Sequence, residues 1–162
     1  MSDRMPAEIR LGGTIKRADV QALCSEIEES GVGVEWGENF SPTDGTELFA
    51  AAKNGELRLV DDEARGGEFD DLEKFLKEKK IPFDRFTDGK YEYDCEAVHY
   101  RPGCKPEITC YITDKSQNQL VQVEEIKKIE KLLLANKVHK ALSMIHKLLP
   151  KVAPLPPFKI ED

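Results

Sequence analysis

Missing from this sequence are a cationic excess, closely spaced cysteines and long apolar runs, and each absence removes a class of function. No run approaches the roughly 18 apolar residues of a membrane-spanning helix. The opening MSDRMPAEIRLGG carries no apolar core of the secretory kind. The expected address is therefore the cytoplasm, with no membrane partner. The four cysteines, Cys24, Cys95, Cys104 and Cys110, include no Cys-x-x-Cys pair, so they are read as reduced thiols and not as a disulfide framework or a zinc ribbon. The formal net charge is −7, which argues against a nucleic-acid partner, because the phosphate backbone attracts clustered cations.

The charge is unevenly placed. Residues 1–114 hold 15 Lys/Arg against 26 Asp/Glu, a net of −11, whereas residues 115–160 hold nine Lys against three Glu, a net of +6. A basic segment following an acidic body either packs near that body or binds an anionic partner.

What is present reads as an α+β domain. The central stretch, Glu47 to Gly103, holds two turn dipeptides, Asn54-Gly55 and Asp88-Gly89, of the kind that two-residue hairpins use. Between them Phe69, Leu72, Phe75 and Leu76 recur at helical spacing. Upstream, Glu8 to Leu11 alternates as a short strand and Gly12-Gly13 ends it. Val20, Leu23, Cys24 and Ile27 then line one helical face, closed by Gly31. Val32, Val34 and Trp36 alternate again, and residues 37–45 form a loop. Residues 47–53, ELFAAAK, have good helix formers, but the following Asn54-Gly55 turn favours a strand of a hairpin.

Glu8-Ile9-Arg10-Leu11 matches Glu56-Leu57-Arg58-Leu59, and each tetrad leads to a Gly-Gly pair and a helix. Two such strand–helix–strand units give a ferredoxin-like βαββαβ core over residues 7–87. A second hairpin over 90–113 completes an α+β domain of residues 1–121. Residues 122–149 carry the stripe Ile126, Ile129, Leu132, Leu133, Val138, Leu142, Ile145 and Leu149, with lysines on the other face. They are expected to form an amphipathic helical segment packed on that domain. Asn136 is the point at which one helix would become two. Pro150 ends the segment, and the proline-rich tail of 150–162 is expected to be extended or loose.

Candidate sites are few. The two Gly-Gly pairs precede helices but lack the P-loop Lys-Ser/Thr and the dinucleotide glycine spacing, and so read as turns. Asp61-Asp62-Glu63, with Asp70-Asp71 nearby, supplies carboxylates, yet adjacent strand residues point to opposite faces. Cys95, His99, Cys104 and Cys110 form the one cluster of soft ligands, at spacings foreign to zinc knuckles. His139 and His146 share a helical face two turns apart. Tyr91, Tyr93, Tyr100 and Arg101 form a candidate contact surface on the sheet, without the RNP aromatic pattern. Pro154, Pro156, Pro157 and Phe158 form a second candidate contact, a polyproline II ligand for an aromatic groove. The expected function is a non-catalytic protein-binding or regulatory module, with a protein partner or a second copy, and with no cofactor and no metal. The alternative is an enzyme, or a small-ligand or metal-binding domain, using the Asp61 cluster or the Cys95–Cys110 region.

Overall fold

The computed structural model describes residues 3–90 and 93–162. Its centre is a five-stranded antiparallel sheet built from β1 (Arg4–Leu11), β3 (Leu57–Arg65), β4 (Phe83–Thr87), β5 (Cys95–Tyr100) and β6 (Ile108–Thr113), in the order β3-β1-β4-β5-β6. A short β2 (Thr14–Lys16) pairs in parallel with β7 (Lys159–Glu161) as a separate two-stranded ribbon. The helices are α1 (Val20–Ser30), α2 (Gly45–Ala51), α3 (Asp70–Glu78), α4 (Val123–Leu134) and α5 (Val138–Leu148).

The matched tetrads lie directly side by side. Ile9 faces Leu59, Leu11 faces Leu57, and Arg10 faces Arg58. Because strand residues alternate, the leucines and isoleucines point together into the core, where they meet Leu23 and Ile27 of α1, Leu72 and Leu76 of α3, and Phe83. The two arginines share the opposite face. Like charges opposed across a ladder repel, and Glu8 resolves this by accepting from both, from Arg10 Nε at 2.9 Å and from Arg58 Nε at 2.8 Å. Burial alone would raise the Glu8 pKa, but the hydrogen bonds and charges of Arg58 and Arg10 outweigh it and hold the carboxyl below its ordinary value.

The molecule is α+β as expected, but the arrangement differs from the βαββαβ plan. Residues 32–36 form no strand. Gly33 makes a single bridge to Val60, and Phe40 N–H returns to the Val32 carbonyl at 2.8 Å, so the chain doubles back at once. Residues 47–53 are not a strand either. The Asp44 carboxylate accepts from Thr46 N and Glu47 N, and Glu47 reaches back to Thr43 N, so α2 starts with a cap that the alanines then extend. The Asn54-Gly55 turn does form, with φ of 54° and 81°, yet it closes only the bridge from Lys53 to Glu56. Asp88-Gly89 is not a two-residue turn. It opens a connection running over 88–94, and β5 begins at Cys95 and not at Lys90.

The proline-rich tail is not loose. Pro156 O accepts from Gly13 N at 2.8 Å, Lys159 N donates to Gly13 O at 2.9 Å, and Phe158 N donates to Gly55 O at 2.7 Å. Phe158 itself is a core residue, 3% exposed. The Gly12-Gly13 pair exists for this strap. A Cβ on Gly12 would meet Pro156 O at 2.2 Å, and Gly13 has φ +72°.

Candidate interaction surface

The C-terminal segment forms two helices separated at Asn136, whose φ of 56° stops the first. The two touch each other, yet only Ile129 on α4 and Ala141 on α5 are buried. Among the described residues, thirteen large apolar side chains are exposed, and eight of them fall between Leu120 and Leu149. Leu134 is 80% exposed, Val123 62% and Ile126 53% on α4; Leu142 is 44% exposed on α5. Consecutive helix residues are about 100° apart, so Leu132-Leu133-Leu134 spans too wide an arc for one buried face. Leu132 turns inward, and Leu133 and Leu134 remain outside.

A groove of about 550 Å³ lies between α3 and the β5–β6 end of the sheet. Val98, Ile108 and Cys110 give it apolar lining, and Glu68, Asp70 and Glu78 line it together with Lys74 and Lys77. Arg85 lies at its back, 4% exposed. Its Nη1 donates to Gly67 O and to Thr87 Oγ1, both at 2.9 Å, and its Nη2 to Glu96 at 3.2 Å. Arg85 Nε lies 2.8 Å from Glu73 Oε1, an ion contact whose N–H points off the line of a good hydrogen bond. Burial pushes the Glu68 carboxyl upward despite the opposing charge of Arg85. Burial, followed by the neighbouring Glu96 carboxylate, pushes the Cys110 thiol up to about 11.

On the opposite face of the sheet, Asp84, His99 and Tyr111 stand in line. His99 Nδ1 is 2.6 Å from Asp84 Oδ1, and His99 Nε2 is 2.9 Å from the Tyr111 hydroxyl. Arg101 Nη2 approaches the same Asp84 oxygen at 2.7 Å. The arrangement that satisfies every group has Nδ1–H donating to the carboxylate and Nε2 accepting from the hydroxyl. Both ring nitrogens are then occupied within the chain. Burial and the Asp84 charge raise the Tyr111 pKa, which disfavours a phenolate. The line is a brace across β4, β5 and β6, with no free base or nucleophile.

The residues singled out from sequence go to different places. Tyr91 lies outside the described residues. Tyr93 is 47% exposed. Tyr100 is buried against Phe83, its hydroxyl donating to Lys77 O at 3.3 Å. Arg101 is buried and donates to the carbonyls of Phe83, Tyr100 and Ala153. Tyr100 and Arg101 therefore serve the interior, and with Tyr93 outside they make no common surface. Pro154, Pro156 and Pro157 are exposed, but the strap they belong to is held by Gly13, Gly55 and Arg101. Cys95 opposes Thr113 and Cys110 opposes Val98, so the two thiols sit on opposite faces of the sheet and share no site. Asp61 accepts from Glu63 N at 2.8 Å within β3, where the register against β1 shifts. Among the described residues no group of three or more His, Cys, Asp and Glu side chains is placed to hold a metal ion, and no helix is long and apolar enough to cross a membrane.

The sequence offered the 122–149 stripe either as cover for its own domain or as a docking face, and it gave no sign of the α3 groove. The three consecutive leucines were the available signal for α4. Ile108 and Ile112, 48% and 40% exposed, carried none, because a β-branched strand reads the same whether or not something covers it. No protein-family model matches this chain, and no curated protein or solved structure matches it either.

Proposed function

We propose that this protein is a cytoplasmic, non-catalytic protein-binding module whose contact surface is the α4–α5 helical pair. The observation that carries this reading is the concentration of exposed apolar side chains there, six of the thirteen among the described residues, with Leu120 and Leu149 at its two ends. Contiguous exposed apolar surface of that kind marks an interaction site in a folded protein. An amphipathic helix that finished its own domain would bury its stripe, and here Val123, Ile126, Leu133 and Leu142 stay in solvent. The lysines around them favour an anionic contact on the partner. Against the alternative, an enzyme or ligand-binding domain using the Asp61 cluster or the Cys95–Cys110 region, count the saturated hydrogen bonding of His99 and the raised Cys110 thiol.

A ferredoxin-like plan over residues 7–87 belongs with this proposal. It is supported by α3 connecting β3 and β4 on either side of β1, and by Gly33 bridging Val60 on the outer side of β3.

The test is capture of partners by the tagged full chain compared with Ile126→Glu and Leu142→Glu. Both positions are solvent-exposed, so the variants keep the far-ultraviolet spectrum and the unfolding midpoint of the parent. Partner capture is expected to disappear in both. Capture that survives both substitutions refutes the reading.

A further inference from the structure

The exposed apolar surface has two parts, and they carry opposite charge. The helical pair combines Val123, Ile126, Leu133 and Leu142 with six lysines against three glutamates over 123–149. The α3 groove combines Val98, Ile108 and Cys110 with five carboxylates, Glu68, Asp70, Glu73, Glu78 and Glu96, against three cations, Lys74, Lys77 and Arg85, an acidic excess. The acidity continues onto α1. Burial raises the Glu26 carboxyl, and the Glu29, Asp71 and Glu78 charges add to it against the opposing charge of Lys74.

We infer that the partner is a second copy of this chain, with the basic apolar helical pair of each copy seated on the acidic apolar α3 groove of the other. The inference rests on the α4–α5 reading above and names its partner. Apolar meets apolar and cation meets anion at the same contact, which is the complementarity that fixes specificity and register. A two-fold arrangement repeats the contact, so both unpaired patches are covered twice in one closed dimer. The helical pair does not fill its own groove, which is open and lined by no residue beyond Cys110. Both feet of the pair are tied down. Leu120 N donates to Ile112 O at 2.9 Å on one side, and Arg101 Nε donates to Ala153 O at 2.8 Å on the other.

The experiment is sedimentation equilibrium of the full chain at low and high salt, up to about 100 µM, a range that detects micromolar self-affinity. The wild type is expected at twice its 18.3 kDa mass, with the dimer weakened by salt. Lys127→Glu with Lys131→Glu reverses the helix side. Asp70→Lys with Glu78→Lys reverses the groove side. All four positions are exposed, and each double variant alone is expected to lose about tenfold or more of its self-affinity. Mixing the two double variants restores complementarity at both contacts and is expected to return a one-to-one dimer. A wild type that stays monomeric overturns the second-copy assignment, and so does a dimer whose affinity neither variant changes, or a mixture that fails to associate. The α4–α5 reading fails separately. It falls only if Ile126→Glu and Leu142→Glu leave all association, with any protein, unchanged.

Discussion

Replacing Phe158 by alanine separates two roles for the tail. If residues 150–162 were a free polyproline ligand, the substitution would cost no stability, because the side chain would be in water in the folded and unfolded states alike. The structure instead puts Phe158 at 3% exposure in the main core, with its N–H on Gly55 O and the strap continuing into the β2–β7 ribbon. Removing a buried phenylalanine side chain costs about 3–5 kcal/mol. The lower end applies here, because the strap is held by hydrogen bonds to Gly13 and Gly55 and can relax around the vacated space. A loss of about 3 kcal/mol is a large part of the total stability of an ordinary domain, about 5–15 kcal/mol. Urea unfolding followed by circular dichroism reads it directly. With a slope of about 1–3 kcal/mol/M, the midpoint should fall by about 1–3 M at unchanged slope. A shift smaller than about 0.3 M at unchanged slope would remove Phe158 from the core and refute the strap. For the same reason, deleting 151–162 is expected to destabilise the whole body, so it is not a clean way to test docking by the tail.

Three further outcomes follow from the sheet. Glu8→Gln removes the one carboxylate between Arg10 and Arg58, which keep side-chain exposures of 31% and 36%; the expected cost is about 2 kcal/mol, below the 3–5 of a fully buried pair because water screens the arginines, and a cost under about 0.5 kcal/mol in urea unfolding would refute the brace. The depressed Glu8 pKa adds stability at neutral pH that is lost as the solution is acidified below 4.5 and through the folded-state value; Glu8→Gln should flatten the acid limb of the stability profile, and an unchanged limb counts against the assignment. Cys110, with its thiol raised to about 11, should alkylate slowly at neutral pH although its residue is exposed, with a rate still climbing above pH 10 when followed by peptide mass mapping; full reactivity at pH 7 would contradict its Glu96 contact.

How much was legible in the sequence depended on whether the deciding contact was local. The α1 and α3 helices and the β1 and β3 strands follow from periodicity, because each buries one face and repeats at its own spacing. Residues 47–53 were legible in part. Asp44-Gly45-Thr46-Glu47 is a capping pattern, and it outweighed the turn that follows it. Residues 32–36 alternate as a strand would, but Gly33 and Gly37 permit a doubling-back that no count of apolar positions detects. The strap was not legible. Proline content reports that a segment cannot be helical, and it says nothing about whether distant partners such as Gly13 and Gly55 will hold it extended. The same limit hid the groove, because β6 gives no sign that the fold will leave both of its isoleucines exposed.

The strap also changes what the helical pair can be. A terminal helix on a loose tail would lose much conformational freedom on meeting a partner, and that cost would be drawn from its affinity. Here the chain enters the pair from β6 and leaves it into a strap bound to Arg101, Gly13 and Gly55, so α4 and α5 form an insertion fixed at both ends. Gln119 Nε2 donates to Leu148 O at 2.5 Å and joins the two feet across the base of the pair. The exposed stripe is therefore presented on a scaffold that has already been ordered by folding, and less of the docking energy is spent on ordering it. On this argument the tail acts on binding indirectly: breaking the strap should weaken association even with Pro154, Pro156 and Pro157 left unchanged.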